Sequence, residues 1–151
     1  MCSASRAALL TGCYSNRVGV LGALGPNEPT GLDPDEDTIA DMLKRRGYAC
    51  GAFGKWHNGS QWPYHPQARG FDEYYGFTAG HWGEYYNAPL ERNGQPVRGD
   101  GYIADDFTTQ AIRFIETRRN RPFFCYVAFN TPHSPYCVPD KYWSRFKDKP
   151  I

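Results

Sequence analysis

The sequence predicts an α/β fold with a mostly parallel sheet flanked by helices. Two observations carry this: helix-periodic segments alternate with short apolar runs, and those runs lack the polar alternation of a half-exposed strand. From Asp37 to Arg46 a helix is expected, with Ile39, Met42 and Leu43 on its buried face. Thr38 and Asp41 resemble a capping box, and Gly47 suits the C-terminal cap. The uncharged run Tyr48 to Phe53 follows between two glycines and reads as a buried strand. Ile103, Phe107, Ala111, Phe114 and Ile115 repeat at helical spacing over 103–118, and the apolar run 123–129 supplies a second strand. Residues 58–101 show no sustained period and are read as long loops, with a small hairpin near Asn93-Gly94.

Composition narrows the class. The 151 residues suffice for one domain with a core, and 17 Lys plus Arg against 16 Asp plus Glu leave a formal charge of +1. No nucleic-acid partner is indicated by that balance. The apolar run of 123–129 falls far short of the ~18 residues a membrane helix needs, so no membrane span is expected. Five cysteines, at 2, 13, 50, 125 and 137, include no C-x-x-C pair, which argues against a zinc knuckle. No basic and then apolar leader follows Met1, and both ends read as cut, so one domain truncated at each end is expected.

Three clusters have chemical content. A helix is expected to start near Ser3 to Ser5 and close at Gly12, placing Cys2 at its N-terminus, where unpaired amides and the dipole favour an anion. Arg6, four residues on, can reach back over the same side, although from these two residues alone a small buried Cys beside an exposed Arg is the favoured reading. After the first strand, Gly54-Lys55-Trp56-His57 would point Lys55 and His57 the same way if it stayed extended. After the second, Pro132 and Pro135 flank His133 in Asn130 to Tyr136. Lys55, His57 and His133 thus fall just beyond the carboxyl ends of strands, where α/β sheets gather function. A surface Lys and packed or turn histidines are the ordinary alternatives.

The run Cys2 to Gly12 resembles the sulfatase signature, in which Cys, any residue, Pro or Ala, any residue and Arg open a helix ending in Thr-Gly. Gly54-Lys55-Trp56-His57 and Thr131-Pro132-His133 resemble the second and third motifs of that family, in the same order. Gly70 to Phe77 and Asp148 are also similar to sulfatase sequence, so the likeness covers nearly the whole chain. It implies part of an alkaline-phosphatase-like catalytic domain over residues 1–151 and hydrolysis of sulfate esters of small molecules or glycans.

By the same resemblance, Cys2 is oxidised to formylglycine by a maturation enzyme, and its hydrated aldehyde is the nucleophile. Arg6 and Lys55 match residues that anchor the hydrate. His57 matches the base, and His133 matches a sulfate-binding residue that assists the leaving alcohol. The family binds calcium or a similar divalent cation such as magnesium. Of its ligands only residue 2, as formylglycine, is expected here, so the isolated chain should bind metal weakly and turn over little substrate. Ala4 stands where proline is commoner, which bears on maturation. Family members are commonly periplasmic, secreted or lysosomal.

The aromatic tract Trp56, Trp62, Tyr64, Tyr74, Tyr75, Phe77, Trp82, Tyr85 and Tyr86 is either loop packing or a stacking wall for substrate, with packing favoured. Within it, His81 and Trp82 are the substrate-contact candidates. Cys13, Cys50, Cys125 and Cys137 are expected to be buried or incidental. Two other readings are a phosphoester or phosphonate hydrolase of the same superfamily and a noncatalytic anion-binding remnant.

Overall fold

The structure is a computed structural model that describes residues 1–26, 28–80 and 83–150. Helices α1 (Cys2–Thr11) and α2 (Ile39–Arg45) precede strand β1 (Ala49–Lys55). Then come β2 (Glu73–Phe77), β3 (Pro89–Arg92), β4 (Gln95–Arg98), helix α3 (Ile103–Arg118), β5 (Phe123–Ala128) and the short α4 (Asp140–Trp143). One sheet has the order β4-β3-β2-β1-β5, with β1 parallel to both β2 and β5 and the hairpin strands antiparallel.

Alternation along β1 divides the core. Ala49 and Phe53 face α3 and pack with Phe107 and Phe114, while Cys50 and Ala52 face Leu10 of α1 and Ala40 of α2. β1 is buried along its whole length because strands flank it and helices cover both faces. Gly54, at φ 118, lets β1 lie this close to β5: a Cβ there would stand 2.2 Å from the Ala128 carbonyl oxygen.

The predicted capping box of α2 is present, with Thr38 and Asp41 bonding reciprocally. Its buried face differs from expectation. Ala40 turns inward and Leu43 packs beside it, while Ile39 and Met42 are exposed. A small residue at the contact brings the helix close enough for the Cys50 thiol to reach the Ala40 carbonyl. In α3 the outlier is Ile115, which is exposed although the rest of its stripe is buried. β5, expected to be deeply buried, is half-buried because it lies at the sheet edge.

Within 58–101 the expected hairpin is present, and one strand corrects the loop reading. The hairpin turns at Asn93 (φ 52) and Gly94 (φ 78) as anticipated, since a two-residue turn needs positive φ at both positions. β2 was not anticipated: its side chains Tyr74, Tyr75 and Phe77 are buried on both faces, so they do not alternate with polar residues. Trp56 and Tyr85 of the same aromatic tract are buried as well, whereas Trp62 and Tyr86 are exposed. No helix among the described residues is long and apolar enough to cross a membrane.

The loop between α1 and α2 is fastened by a buried guanidinium. Arg69 is 2% exposed and donates to the carbonyls of Leu32, Asp33 and Glu36. Removing it orphans three acceptors and leaves a hole, so Arg69→Met is expected to lower unfolding free energy by about 3 kcal/mol in urea denaturation. An unchanged midpoint would show that this loop is held by its apolar contacts alone.

Candidate active site

The helix N-terminus comes first. α1 begins at Cys2 itself, with Met1 as N-cap, no side-chain cap and no acidic residue in the first turn. Its leading amides therefore present positive potential without a carboxylate of the helix to absorb it. At the other end, Gly12 at φ 70 supplies the left-handed cap expected of it.

Arg6 ties this helix to the sheet. Its guanidinium donates to the Lys55 carbonyl at 2.6 Å and to the Tyr126 hydroxyl at 3.3 Å. It thus lies beside Lys55 at the end of β1. Lys55 is 4% exposed and lies near enough to Cys2 for the two to interact electrostatically. Burial lowers its pKa, Cys2 acts against that shift, and neighbouring Arg6 adds to it.

His57 reaches the site by another route than strand alternation. β1 ends at Lys55, and His57 adopts φ 58, so the extended geometry expected for Lys55 to His57 does not continue. The backbone instead follows β2, with Trp56 N–H donating to Phe77 and His57 N–H to Thr78. The His57 ring is 5% exposed, and its Nε2 lies 2.9 Å from the Leu24 carbonyl. A carbonyl only accepts, so Nε2 carries the proton and Nδ1 holds the lone pair. Nδ1 is buried and makes no hydrogen bond among the described residues. Burial is the main cause of a lowered His57 pKa; the Leu24 bond opposes it, and Lys55 and Arg6 reinforce it.

His133 sits on the exposed loop after β5, with cis peptide bonds at Pro132 and Pro135. The Tyr85 hydroxyl donates to the His133 carbonyl, and the His133 amide donates to Asn130. These contacts anchor the loop over a cavity of about 360 Å³ lined by Cys2, Ala23, Leu24, Pro26, His57, Ala79, Gly80 and His133. Residues 2, 57 and 133 thus share one cavity, and Lys55 acts electrostatically on both Cys2 and His57. Among the described residues, no ion pair engages Arg6 or Lys55. His81 and Trp82, the substrate-contact candidates, lie outside the described residues.

Comparison with known proteins decides the family. Residues 1–150 match the Sulfatase family profile. The chain belongs to the sulfatase family. N-acetylgalactosamine-6-sulfatase of Mus musculus is 33% identical over 89% of this chain and 31% of its own length. The crystal structure of Ps i-CgsB with k-i-k-neocarrahexaose superposes with TM-score 0.93 at 33% identity, covering 99% of this chain and 38% of that one. That of BT4656 with its substrate D-glucosamine-2-N,6-O-disulfate gives 0.81 at 27% identity, covering 100% and 29%. The sulfatase chain therefore spans about a third of these relatives. Its open sheet with helices on both faces is of the alkaline-phosphatase-like fold.

A calcium or magnesium ion does not fit the described part of this sulfatase, where no three His, Cys, Asp or Glu side chains group to hold a metal. The remaining cysteines divide into two kinds. Burial pushes the Cys50 and Cys125 thiols up to about 11, so both stay protonated at neutral pH, while Cys13 and Cys137 are exposed. Sequence reasoning missed Ser3, Leu24 and the Ala79-Gly80 turn. Only the last had a local signal, a glycine just past an aromatic run; a Cβ on Gly80 would stand 2.3 Å from His57 Nε2.

A pH dependence follows for His57. Its folded pKa is depressed, so the stability from the neutral ring is present above the ordinary value of about 6.5 and lost as pH falls through the folded value. An NMR titration is expected to find less than half of His57 protonated at pH 6.5, where a solvated imidazole is half protonated. A midpoint at or above the ordinary value would contradict the burial argument.

Proposed function

We propose that residues 1–151 are part of the catalytic domain of an enzyme that hydrolyses sulfate esters of glycans or small molecules. The observation that supports this most is the shared cavity of Cys2, His57 and His133 beside the cations Lys55 and Arg6, with no ion pair engaging either cation among the described residues. A tetrahedral oxyanion matches that charge. The complexes of the relatives with a sulfated glucosamine and with neocarrahexaose favour a sulfated glycan as the substrate class.

Residue 2 suits the formylglycine expected of it, since it opens a helix and lines the cavity that His57 and His133 share. Formed there by a maturation enzyme, that group supplies a hydrated aldehyde with a nucleophilic hydroxyl. Lys55 and Arg6 offset negative charge on the ester and on the departing sulfate. His57, neutral with a buried Nδ1 that has no hydrogen-bond partner among the described residues, is the group that accepts a proton. His133, on the solvent side of the cavity, hydrogen-bonds the sulfate and assists the leaving alcohol. Ester and water thereby become alcohol and sulfate. A calcium or magnesium ion would draw its other ligands from elsewhere in a longer polypeptide, and a periplasmic, secreted or lysosomal location accords with the family resemblance.

The test uses the longer polypeptide that carries this chain, offered aryl sulfate and aryl phosphate side by side. Sulfate ester turnover is expected to dominate, and Cys2→Ala to reduce it roughly 10³-fold or more, as loss of a nucleophile does. Preference for phosphate would move the assignment to a phosphoester hydrolase. Full activity in Cys2→Ala would end the proposed mechanism.

A further inference from the structure

We infer that Ser3 is a positioning residue for His57, acting through the Leu24 peptide bond. The Ser3 side chain is fully buried, and its Oγ accepts the Leu24 N–H at 3.0 Å. The carbonyl of the same residue accepts the His57 Nε2 proton at 2.9 Å. One backbone residue therefore links the first turn of α1 to the imidazole. Among the described residues, segment 21–26 makes hydrogen bonds beyond the loop 13–38 only at Leu24, through these two contacts. The surrounding loop is tied elsewhere, as where Leu32 N–H donates to Asn58 and Gln61 donates to Pro29.

The chemistry explains why a hydroxyl stands at position 3. An aliphatic side chain there would leave the Leu24 N–H without its acceptor and release one end of the link. The Leu24 carbonyl could then rotate away from Nε2, and the imidazole would lose the contact that selects its tautomer. Gly80 closes the ring from another side, so the imidazole has little room to find a different partner. Cys2 and His133 line the same cavity, and Lys55 and Arg6 act on the ring electrostatically. The Lys55 ammonium and the Arg6 guanidinium carry donors only, so neither can take the place of the Leu24 carbonyl at Nε2. Holding Nε2–H on Leu24 leaves Nδ1 as the single basic atom of the neutral ring. The catalytic value of that arrangement rests on the function proposed above; the structural link does not.

The experiment reads the tautomer directly, by long-range proton–nitrogen correlation on protein labelled with 15N-histidine. His57 is expected in the Nε2–H form in the unsubstituted protein and in Ser3→Thr, and as a mixture of tautomers in Ser3→Ala. An unchanged His57 pattern in a folded Ser3→Ala protein overturns the inference. Should Ser3→Ala fail to fold, amide exchange in the unsubstituted protein decides. A protected Leu24 N–H supports the link, and exchange as fast as that of exposed loop amides refutes it.

Turnover supplies a second arm, normalised to the converted fraction of residue 2 by intact mass because Ser3 adjoins the modification site. Ser3→Ala is expected to lower kcat roughly tenfold or more with little change in KM, as befits a misoriented base, while Ser3→Thr retains most activity. A tautomer change in a protein inert towards sulfate esters would sink the sulfatase function and leave the positioning link standing. Unchanged normalised turnover in Ser3→Ala overturns the catalytic part of the inference.

Discussion

The governing constraint is a concentration of positive charge at the carboxyl end of the sheet. Arg6 and Lys55 adjoin one another and the open end of α1, and each depresses the protonation of His57 beyond what burial alone does. Like charges this close destabilise the fold unless something offsets them. The carboxylates that do form ion pairs with Lys or Arg among the described residues pair elsewhere: Asp37 with Arg45, Asp72 with Lys44, Glu73 with Arg92 and Asp105 with Lys141. What reduces the strain locally is neutral. The Arg6 guanidinium uses a carbonyl and a phenol, and burial keeps Tyr126 in its un-ionised form. A site held together by dipoles leaves its net charge available to a guest, and an anion that arrives gains from all of them together.

Several elements must be held at fixed separation for that charge to converge, and the links are mostly made by backbone atoms. Arg6 grips the carbonyl of Lys55, Leu24 spans Ser3 and His57, and the carbonyl of His133 receives the Tyr85 hydroxyl. The glycines have a related part. Gly54 permits close approach of β1 to β5, and Gly80 leaves space for the His57 ring. Backbone acceptors suit this purpose because they carry no net charge and do not titrate. They orient the cationic groups without neutralising them, which a carboxylate in the same place would do.

How far the sequence discloses this architecture depends on the range of the interaction. Both long-period helices, the capping box at Thr38 and the turn at Asn93-Gly94 are legible because local spacing and local φ preference determine them. The inward face of α2 is not, since whether Ile39 or Ala40 meets the sheet depends on how closely the helix approaches Cys50. β2 escapes because a strand buried on both faces has no period-two pattern to detect. At the site, the motifs locate Cys2, Lys55, His57 and His133 along the chain, but the turn at His57 reflects hydrogen bonds to the end of β2. Leu24 is invisible in principle: its contribution is a peptide group, which every residue but proline possesses in full.

The two imidazoles differ in their surroundings because of where each is carried. His57 is enclosed between the loop at Leu24 and the turn at Gly80, so its environment selects one tautomer and disfavours the charged ring. His133 is carried on an exposed loop anchored by its backbone, which leaves the ring in contact with water at the cavity mouth. A proton taken up at Nδ1 of His57 increases positive charge beside Lys55 and Arg6, an unfavourable state that an anion in the cavity offsets. The basicity of this histidine therefore rises when an anion is present and falls when it leaves. Charge in the pocket and proton affinity at the ring are thus one coupled quantity, and the coupling is possible because, among the described residues, no ion pair engages Lys55 or Arg6.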